Sequence, residues 1–245
     1  MTRILYLNAR HSLIADPAAD TDTELHRRLK QQYGTDARRL SRLCRLVLLG
    51  ALPLRDRLAA DTEILLASPF SSPAKFGVVF AKLADGNLPA PLDFIANLHN
   101  APVFQLAQSC GITGGSAFLP ADADSYAVPL ILAASALITD GARNVLVGWA
   151  YENQQRGETD GSIWWQLGSR PERSCTHTLH LHPPACRLPP PAPDSGTGRS
   201  AGRFFPAVCA MQHALDTEGR LHHPPQGLCP AFDIRPFAQE PVGHL

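Results

Sequence analysis

Three features of the sequence predict an α/β layered fold, a mixed but mostly parallel sheet with helices on both faces. Short apolar runs of strand length at 63–68 and 144–150 show no alternation, as strands covered on both faces do. Segments of helical length lie around and between them at 74–84, 101–110 and 125–139. Glycines or turn residues stand at the junctions, at Gly50, Gly86, Gly111, Gly114, Gly115 and Gly141, where the chain has to stop or bend. A strand–loop–helix–return order repeated in this way favours parallel pairing through crossovers.

Taken in order, Ile4-Leu5-Tyr6-Leu7 reads as a first strand. A helix is expected over 36–50, capped by Thr35 or Asp36 and ended by Gly50. Leu40, Leu43, Leu46 and Val47 fall on one side of it and Arg38, Arg39, Arg42 and Arg45 largely on the other. The arginines are therefore expected on a solvated face, with anion binding as the alternative. The loop Pro69-Phe-Ser-Ser-Pro73 leads into a helix at 74–84 that carries Phe76, Val79, Phe80 and Leu83 at helical spacing. The next helix, 101–110, stops at Gly111, and Gly114-Gly115 turn the chain into a strand at 116–119. From 125 to 139 the residues are nearly all apolar, which predicts a buried helix.

Beyond Glu152 the character changes. The stretch 153–173 is polar apart from Trp164-Trp165, a pair that marks a partner surface if exposed and a core contact if packed on the sheet. Residues 175–182 alternate with period two and predict a strand at a sheet edge, with His180 and His182 on one face. Twelve of the 22 prolines follow from Pro183 onward. The expected organisation is a main α/β domain at 1–182, a Pro/Gly-rich linker at 183–203, and a C-terminal addition at 204–245. That addition comprises a helix opened by Pro206 and short strands near Leu221 and at 231–235, packed back on the main domain.

Composition excludes several classes. With 245 residues, 44% apolar and 18% charged, and 22 basic against 22 acidic side chains, nothing calls for a nucleic-acid groove or an anionic membrane surface. No apolar run approaches the roughly 20 residues of a spanning helix, and the N-terminus has no signal-peptide core, so a soluble cytoplasmic protein is expected. Six cysteines at irregular spacing fit reduced thiols. Seven of the ten histidines follow Arg170, but they do not form repeated ligand pairs, and neither a metal nor another cofactor is expected.

The order Asn100-Ala101, the bend Gly111-Ile-Thr-Gly114, a strand, a tight elbow, an apolar helix ending at Gly141 and the strand Val145-Leu-Val-Gly148 resembles the N-terminal half of β-ketoacyl synthases of the thiolase fold. More narrowly, it is similar to the short "β-ketoacyl synthase chain length factor" proteins of aryl-polyene and xanthomonadin-type pigment and related type II polyketide and fatty-acid gene sets. The resemblance spans roughly 4–181 and is clearest over 74–150. It implies a catalytic cysteine at the elbow, yet counting back from Gly141 lands on Asp124, within Ala121-Asp-Ala-Asp-Ser125. A carboxylate cannot hold an acyl chain as a thioester. The family's decarboxylating His or Asn residues come from a second half of the fold, which this chain ends too early to build.

The resemblance thus implies a non-catalytic subunit that pairs with an active β-ketoacyl-ACP synthase, with acyl carrier protein as a further partner and Asn100, Asp124, Ser125 and Tyr126 as candidate interface residues. Read locally, Asp124 is a helix N-cap worth about 1 kcal/mol, and Pro129 means that the regular helix begins near Ser125 or later, or is kinked. Two alternatives stay open. One is a stand-alone acyltransferase or hydrolase using Ser125 or a tail cysteine; the other is an acyl-carrier-protein scaffold binding through the Arg38–Arg45 helix.

Overall fold

The computed structural model describes residues 3–16, 18–86, 91–138, 141–153, 159–182, 201–224 and 231–238. The Pro-rich stretch 183–200 lies outside them, as do Cys186 and Cys229. In chain order the elements are β1 (Arg3–Ala15), α1 (Asp22–Tyr33), α2 (Arg42–Ala51), a 3-10 turn (Leu52–Arg57), β2 (Glu63–Ser68), α3 (Pro73–Ala84), α4 (Pro91–Ala96), α5 (Ala101–Cys110), β3 (Ser116–Pro120) and α6 (Val128–Ile138). They continue with β4 (Asn144–Tyr151), β5 (Asp160–Gly168), β6 (His177–Leu181), α7 (Phe204–Glu218), β7 (Leu221–His223) and β8 (Phe232–Pro236). No helix among the described residues is long and apolar enough to cross a membrane.

All eight strands form one sheet in the order β3-β2-β4-β5-β1-β6-β8-β7. The layered α/β expectation holds, but the sheet is mostly antiparallel. Only the β2–β3 and β2–β4 pairings are parallel, and the other five are antiparallel. The reason is connectivity. Helices carry the chain from β2 to β3 and from β3 to β4, whereas β5 returns directly along β4 and β8 along β7. The strand at 177–181 is likewise interior, paired with β1 on one side and β8 on the other, because the C-terminal strands extend the sheet past it.

Side chains of β4 and β5 alternate between two cores. Val145, Val147, Trp149, Ile163 and Trp165 pack under α6 and α7, while Leu146, Ala150 and Trp164 pack under the α1, α2 and α5 side. Coverage on both faces is why the β4 sequence is a continuous apolar run. It also settles the Trp pair: both rings are fully buried, one on each face. Trp165 donates to Gln212 Oε1 at 2.8 Å, Gln212 donates to Asp216 Oδ1 at 3.0 Å, and Asp216 pairs with Arg10 at 3.0 Å, so α7 is tied to the sheet by a connected polar chain.

β1 runs well past Leu7. A bulge at Asn8 shifts its register against β5 between Leu7 and Ala9. Leu5 and Leu7 face the α7 side, and Ala9, Leu13 and Ala15 face α1 and α2. An inserted residue exchanges the two faces of a strand. The buried Asn8 side chain donates to Arg170 O at 3.2 Å and accepts from Glu172 N at 3.0 Å, which satisfies it at the kink.

The helix expected over 36–50 begins instead at Arg42, because Ser41 accepts from Cys44 N at 3.2 Å and takes the cap. Its arginines do not all face solvent. Arg42 lies against Asp160 at 2.6 and 3.1 Å, and Arg45 is buried, bonding Ala37 O at 3.1 Å and pairing with Asp22 at 3.1 Å. The Arg42–Asp160 pair is internal, whereas the Asp22 carboxylate is largely exposed, so both arginines are engaged by acids of the chain itself; Arg38 on the preceding turn pairs with Asp36 at 2.6 Å.

Two outcomes follow from the packing and the charges. A Cβ at Gly148 would stand 2.2 Å from the Trp164 ring, which is enclosed on all sides. Gly148→Ala should therefore destabilise the fold by about 3 kcal/mol in chemical denaturation. On β8, Asp233 accepts from His222 Nδ1 at 2.6 Å and His182 Nε2 at 2.8 Å, which hold its carboxyl down from 3.8 to about 2. A depressed carboxylate stabilises the fold above its ordinary pKa and stops doing so as pH falls through the folded one. Stability should thus drop between about pH 4 and pH 2, and Asp233→Asn should lack that component; equal acid limbs in both proteins would contradict it.

Candidate functional site

β3 ends at Pro120, and the chain turns through 121–127 before α6 starts at Val128. Pro129 falls in the first turn, where its missing N–H removes no helical bond. The turn is held by Asp122. Its Oδ1 accepts from Asp124 N at 3.0 Å and from the Ser125 hydroxyl at 2.6 Å, and its own amide donates to Ser125 Oγ at 2.8 Å. Aspartate is favoured here because its short side chain bonds the backbone two residues on. Asp122 thus holds the start of the elbow, two residues ahead of the expected cap at Asp124.

Asp124 lines a cavity of about 420 Å³ together with Tyr126, Arg203, Ala207, Met211 and Leu221. The opposite wall is α7, which lies against β4 and β5 and so stands over the elbow. Tyr126 is buried within the chain's own core: its carbonyl accepts from Trp149 Nε1 at 2.6 Å and its ring meets His223 edge-on at 5.5 Å. Asp124, Ser125 and Tyr126 are thus brought together on the elbow. Asn100 stands apart, exposed at the start of α5, without a side-chain capping bond.

The chemistry of this elbow is limited. The Ser125 hydroxyl is both donor and acceptor within the turn and gives its proton to a carboxylate, a weak base for a serine nucleophile. Among the described residues the thiols do not substitute. Burial pushes Cys44, Cys110 and Cys209 up to about 11 and raises Cys175 as well, so little thiolate exists near neutral pH. Among the described residues no group of three or more His, Cys, Asp or Glu side chains could hold a metal ion.

A second feature lies on α3 and α4. The twelve-residue α3 buries only Val79, and α4 buries nothing, although both are rich in apolar side chains. Phe76, Phe80, Phe94 and Phe104 are 56–62% exposed, with Val78, Leu83, Leu92, Ile95 and Leu98 also exposed. Asp93 on α4 pairs with Lys82 on α3 at 2.6 Å and Lys75 at 3.9 Å, which joins the two helices. Next to them His99 meets Phe118 of β3 edge-on at 5.3 Å, and among the described residues β3 is the last strand of the sheet, paired on one side only. The spacing of Phe76, Phe80 and Leu83 was visible in the sequence; their exposure was not, because an apolar stripe has the same period whether the chain's own core or a second protein covers it.

No protein-family model and no curated protein matches this chain. Solved structures do. A chain of the ketosynthase ApeO in complex with its chain length factor ApeC from Xenorhabdus doucetiae is 17% identical with a TM-score of 0.58, over 94% of this chain and 98% of that one. The ishigamide ketosynthase/chain length factor is 13% identical with a TM-score of 0.57, over 88% and 73%. The AntDE:AntF complex, a type II PKS acyl-carrier protein with its ketosynthase bound to the hexaketide, is 13% identical with a TM-score of 0.50, over 69% and 64%. At these identities the likeness establishes the fold, which is the thiolase-like fold of ketosynthases. Because Asp122 pins the elbow, Asp122→Ala should cost about 1–2 kcal/mol in thermal or chemical denaturation. Asp122→Asn, which keeps the accepting oxygen, should cost less.

Proposed function

We propose that this chain is a non-catalytic, ketosynthase-like subunit of chain-length-factor type that pairs with a catalytic β-ketoacyl-ACP synthase in type II fatty-acid or polyketide biosynthesis, in the aryl-polyene pigment class. The observation that carries this reading is the apolar surface of α3 and α4, two helices that bury one side chain between them while exposing seven large apolar ones. Contiguous apolar surface of this kind marks an interaction site. Covering a half-exposed Phe or Leu returns about 1 kcal/mol, so a cluster of them gives a protein partner a strong driving force.

Three further observations support the same reading. The fold is that of ketosynthases, including chains from ketosynthase/chain length factor complexes. The Ser125 hydroxyl is engaged by Asp122, and by the family resemblance Asp124 would stand where a ketosynthase has its nucleophilic cysteine. β3 leaves one edge open beside the apolar surface, and an unpaired edge is a natural place for a second protein to continue a sheet. In this reading the partner supplies the nucleophile and the decarboxylating residues. Acyl carrier protein then reaches the pair through the catalytic subunit.

The test is co-expression with the catalytic ketosynthase of the same gene set. The two chains are expected to co-purify in equal amounts, and Phe80→Asp with Phe94→Asp should reduce recovery of the partner at least tenfold. A lone monodisperse chain that transfers acyl groups from acyl carrier protein, and loses that activity in Ser125→Ala, would reverse the assignment.

A further inference from the structure

The sequence contains the dipeptide Asp-Gly three times, at 85–86, 140–141 and 160–161, and Asp140 lies outside the described residues. This dipeptide has a chemistry of its own. The glycine amide nitrogen can close on the side-chain carboxyl carbon of the aspartate, because no Cβ on the following residue blocks the approach. Two things set by the fold govern that reaction: how freely the carboxyl turns, and how firmly the glycine amide is held.

The two described copies stand at opposite extremes. Asp160 is buried, and Arg42 bonds both of its carboxylate oxygens, at 2.6 and 3.1 Å. Gly161 lies within β5, paired with Ile14 of β1 on one side and Tyr151 of β4 on the other. Asp85, by contrast, is exposed at the C-terminal end of α3, and among the described residues no hydrogen bond or ion pair engages its carboxylate. Gly86 is exposed too, in the left-handed region at φ 75°, and its amide bonds Leu83 O at 3.1 Å. That bond belongs to the last turn of a helix that buries only Val79, so opening it disturbs little packing.

We propose that Asp85-Gly86 is a modification site, where the chain closes to a cyclic succinimide and reopens as isoaspartate, and that the product is a substrate for an isoaspartyl carboxyl methyltransferase. In the first step the Gly86 nitrogen bonds to Asp85 Cγ, and one carboxyl oxygen leaves as water with the carboxyl and amide protons. In the second, water adds to the imide carbonyl that was the backbone carbonyl of Asp85, its bond to the Gly86 nitrogen breaks, and the nitrogen regains a proton. The chain then runs through Cγ, one methylene longer, and the former backbone carbonyl is a free carboxylate exposed at the end of α3. Water leaves and water returns, so the rearrangement needs no other reactant. The methyltransferase moves a methyl group from the sulfonium of S-adenosylmethionine to an oxygen of that carboxylate, with S-adenosylhomocysteine as the leaving group. None of this depends on pairing with a ketosynthase.

The experiment ages the folded full chain at mildly acidic pH in heavy-oxygen water, then unfolds it and digests it in ordinary water with endoproteinase Asp-N, which cleaves before aspartate and not before isoaspartate. Resistance before residue 85 is expected to build up at least tenfold faster than before residue 160, with one heavy oxygen gained in the resistant peptide. In urea, where Arg42 and the sheet no longer hold Asp160, the two positions should react at similar rates. Incubation of the aged chain with the methyltransferase and labelled S-adenosylmethionine should place label in the peptide that carries residue 85, and Asp85→Glu, whose imide ring would be six-membered, should carry none there. No resistance before residue 85 in the folded chain, equal resistance before 85 and 160, resistance without the heavy oxygen, or an unlabelled peptide would each overturn the proposal. A tenfold difference that persists in urea would assign it to local sequence and overturn the part given to the fold.

Discussion

The arrangement of helices around this sheet depends on one buried carboxylate. Glu152, at the carboxyl end of β4, is about 1% exposed; its Oε2 accepts from Leu43 N at 2.8 Å and its Oε1 from Ala74 N at 3.1 Å. Those amides belong to the first turns of α2 and α3, and the Ser72 side chain that caps α3 bonds the same carboxylate. Two helix N-termini, each with partial positive charge and unpaired N–H groups, thus converge on one anion. Burial pushes the Glu152 carboxyl upward, and the Ser72 hydroxyl and the two amides oppose that push. The outcome is positional: the end of β4 fixes where α2 lies on the sheet and where α3 departs from it.

Arg42 and Asp160 do for the start of β5 what Glu152 does for the end of β4. Asp160 is buried, and Arg42 reaches it with two nitrogens and Asp22 with a third contact at 3.2 Å. A buried ion pair adds little net stability over an apolar substitute, yet leaving either charge alone is costly. Such pairs therefore specify one arrangement more than they strengthen it. Together with Asn8 at the β1 bulge they hold α1, α2 and the central strands in a single register, and all three are polar residues within an apolar core.

Much of this was legible in the sequence where one rule governs one segment. The strand at 63–68, the helix stopped by Gly111 and the strand beginning at Asn144 were expected nearly at their observed bounds, because apolar runs and glycine stops are local signals. The signal failed where tertiary contacts decide. β1 hid beyond Leu7 because its bulge inverts the alternation, and β5 hid because Gly161 and Ser162 read as loop. Gly161 is small because a Cβ there would fall 2.1 Å from Leu13 O of β1, and Ser162 because α2 lies close: a Cβ on Gly50 would fall 2.1 Å from its Oγ. The arginines of α2 read as solvated because their acidic partners, Asp22 and Asp160, are distant in sequence. At the elbow the position of Asp124 was legible, while the role of Asp122 as the residue that holds the turn was not.

The contrast between interior and surface bears on function. Within the chain, several polar demands are met by specific partners: Glu152 by two helices, Trp165 by Gln212, Asn8 by two backbone groups. Local pattern and global packing agree there, as they do in sequences that specify one structure. On α3 and α4 they disagree. Those helices have the apolar spacing of core elements but almost no core, and a mid-helix glycine without a packing reason. A sequence keeps such a local cost where something outside the single chain offsets it. The elbow and the uncovered helices differ accordingly: α7 and the Asp122 turn border the cavity that Asp124 lines, while α3 and α4 keep an apolar, exposed surface.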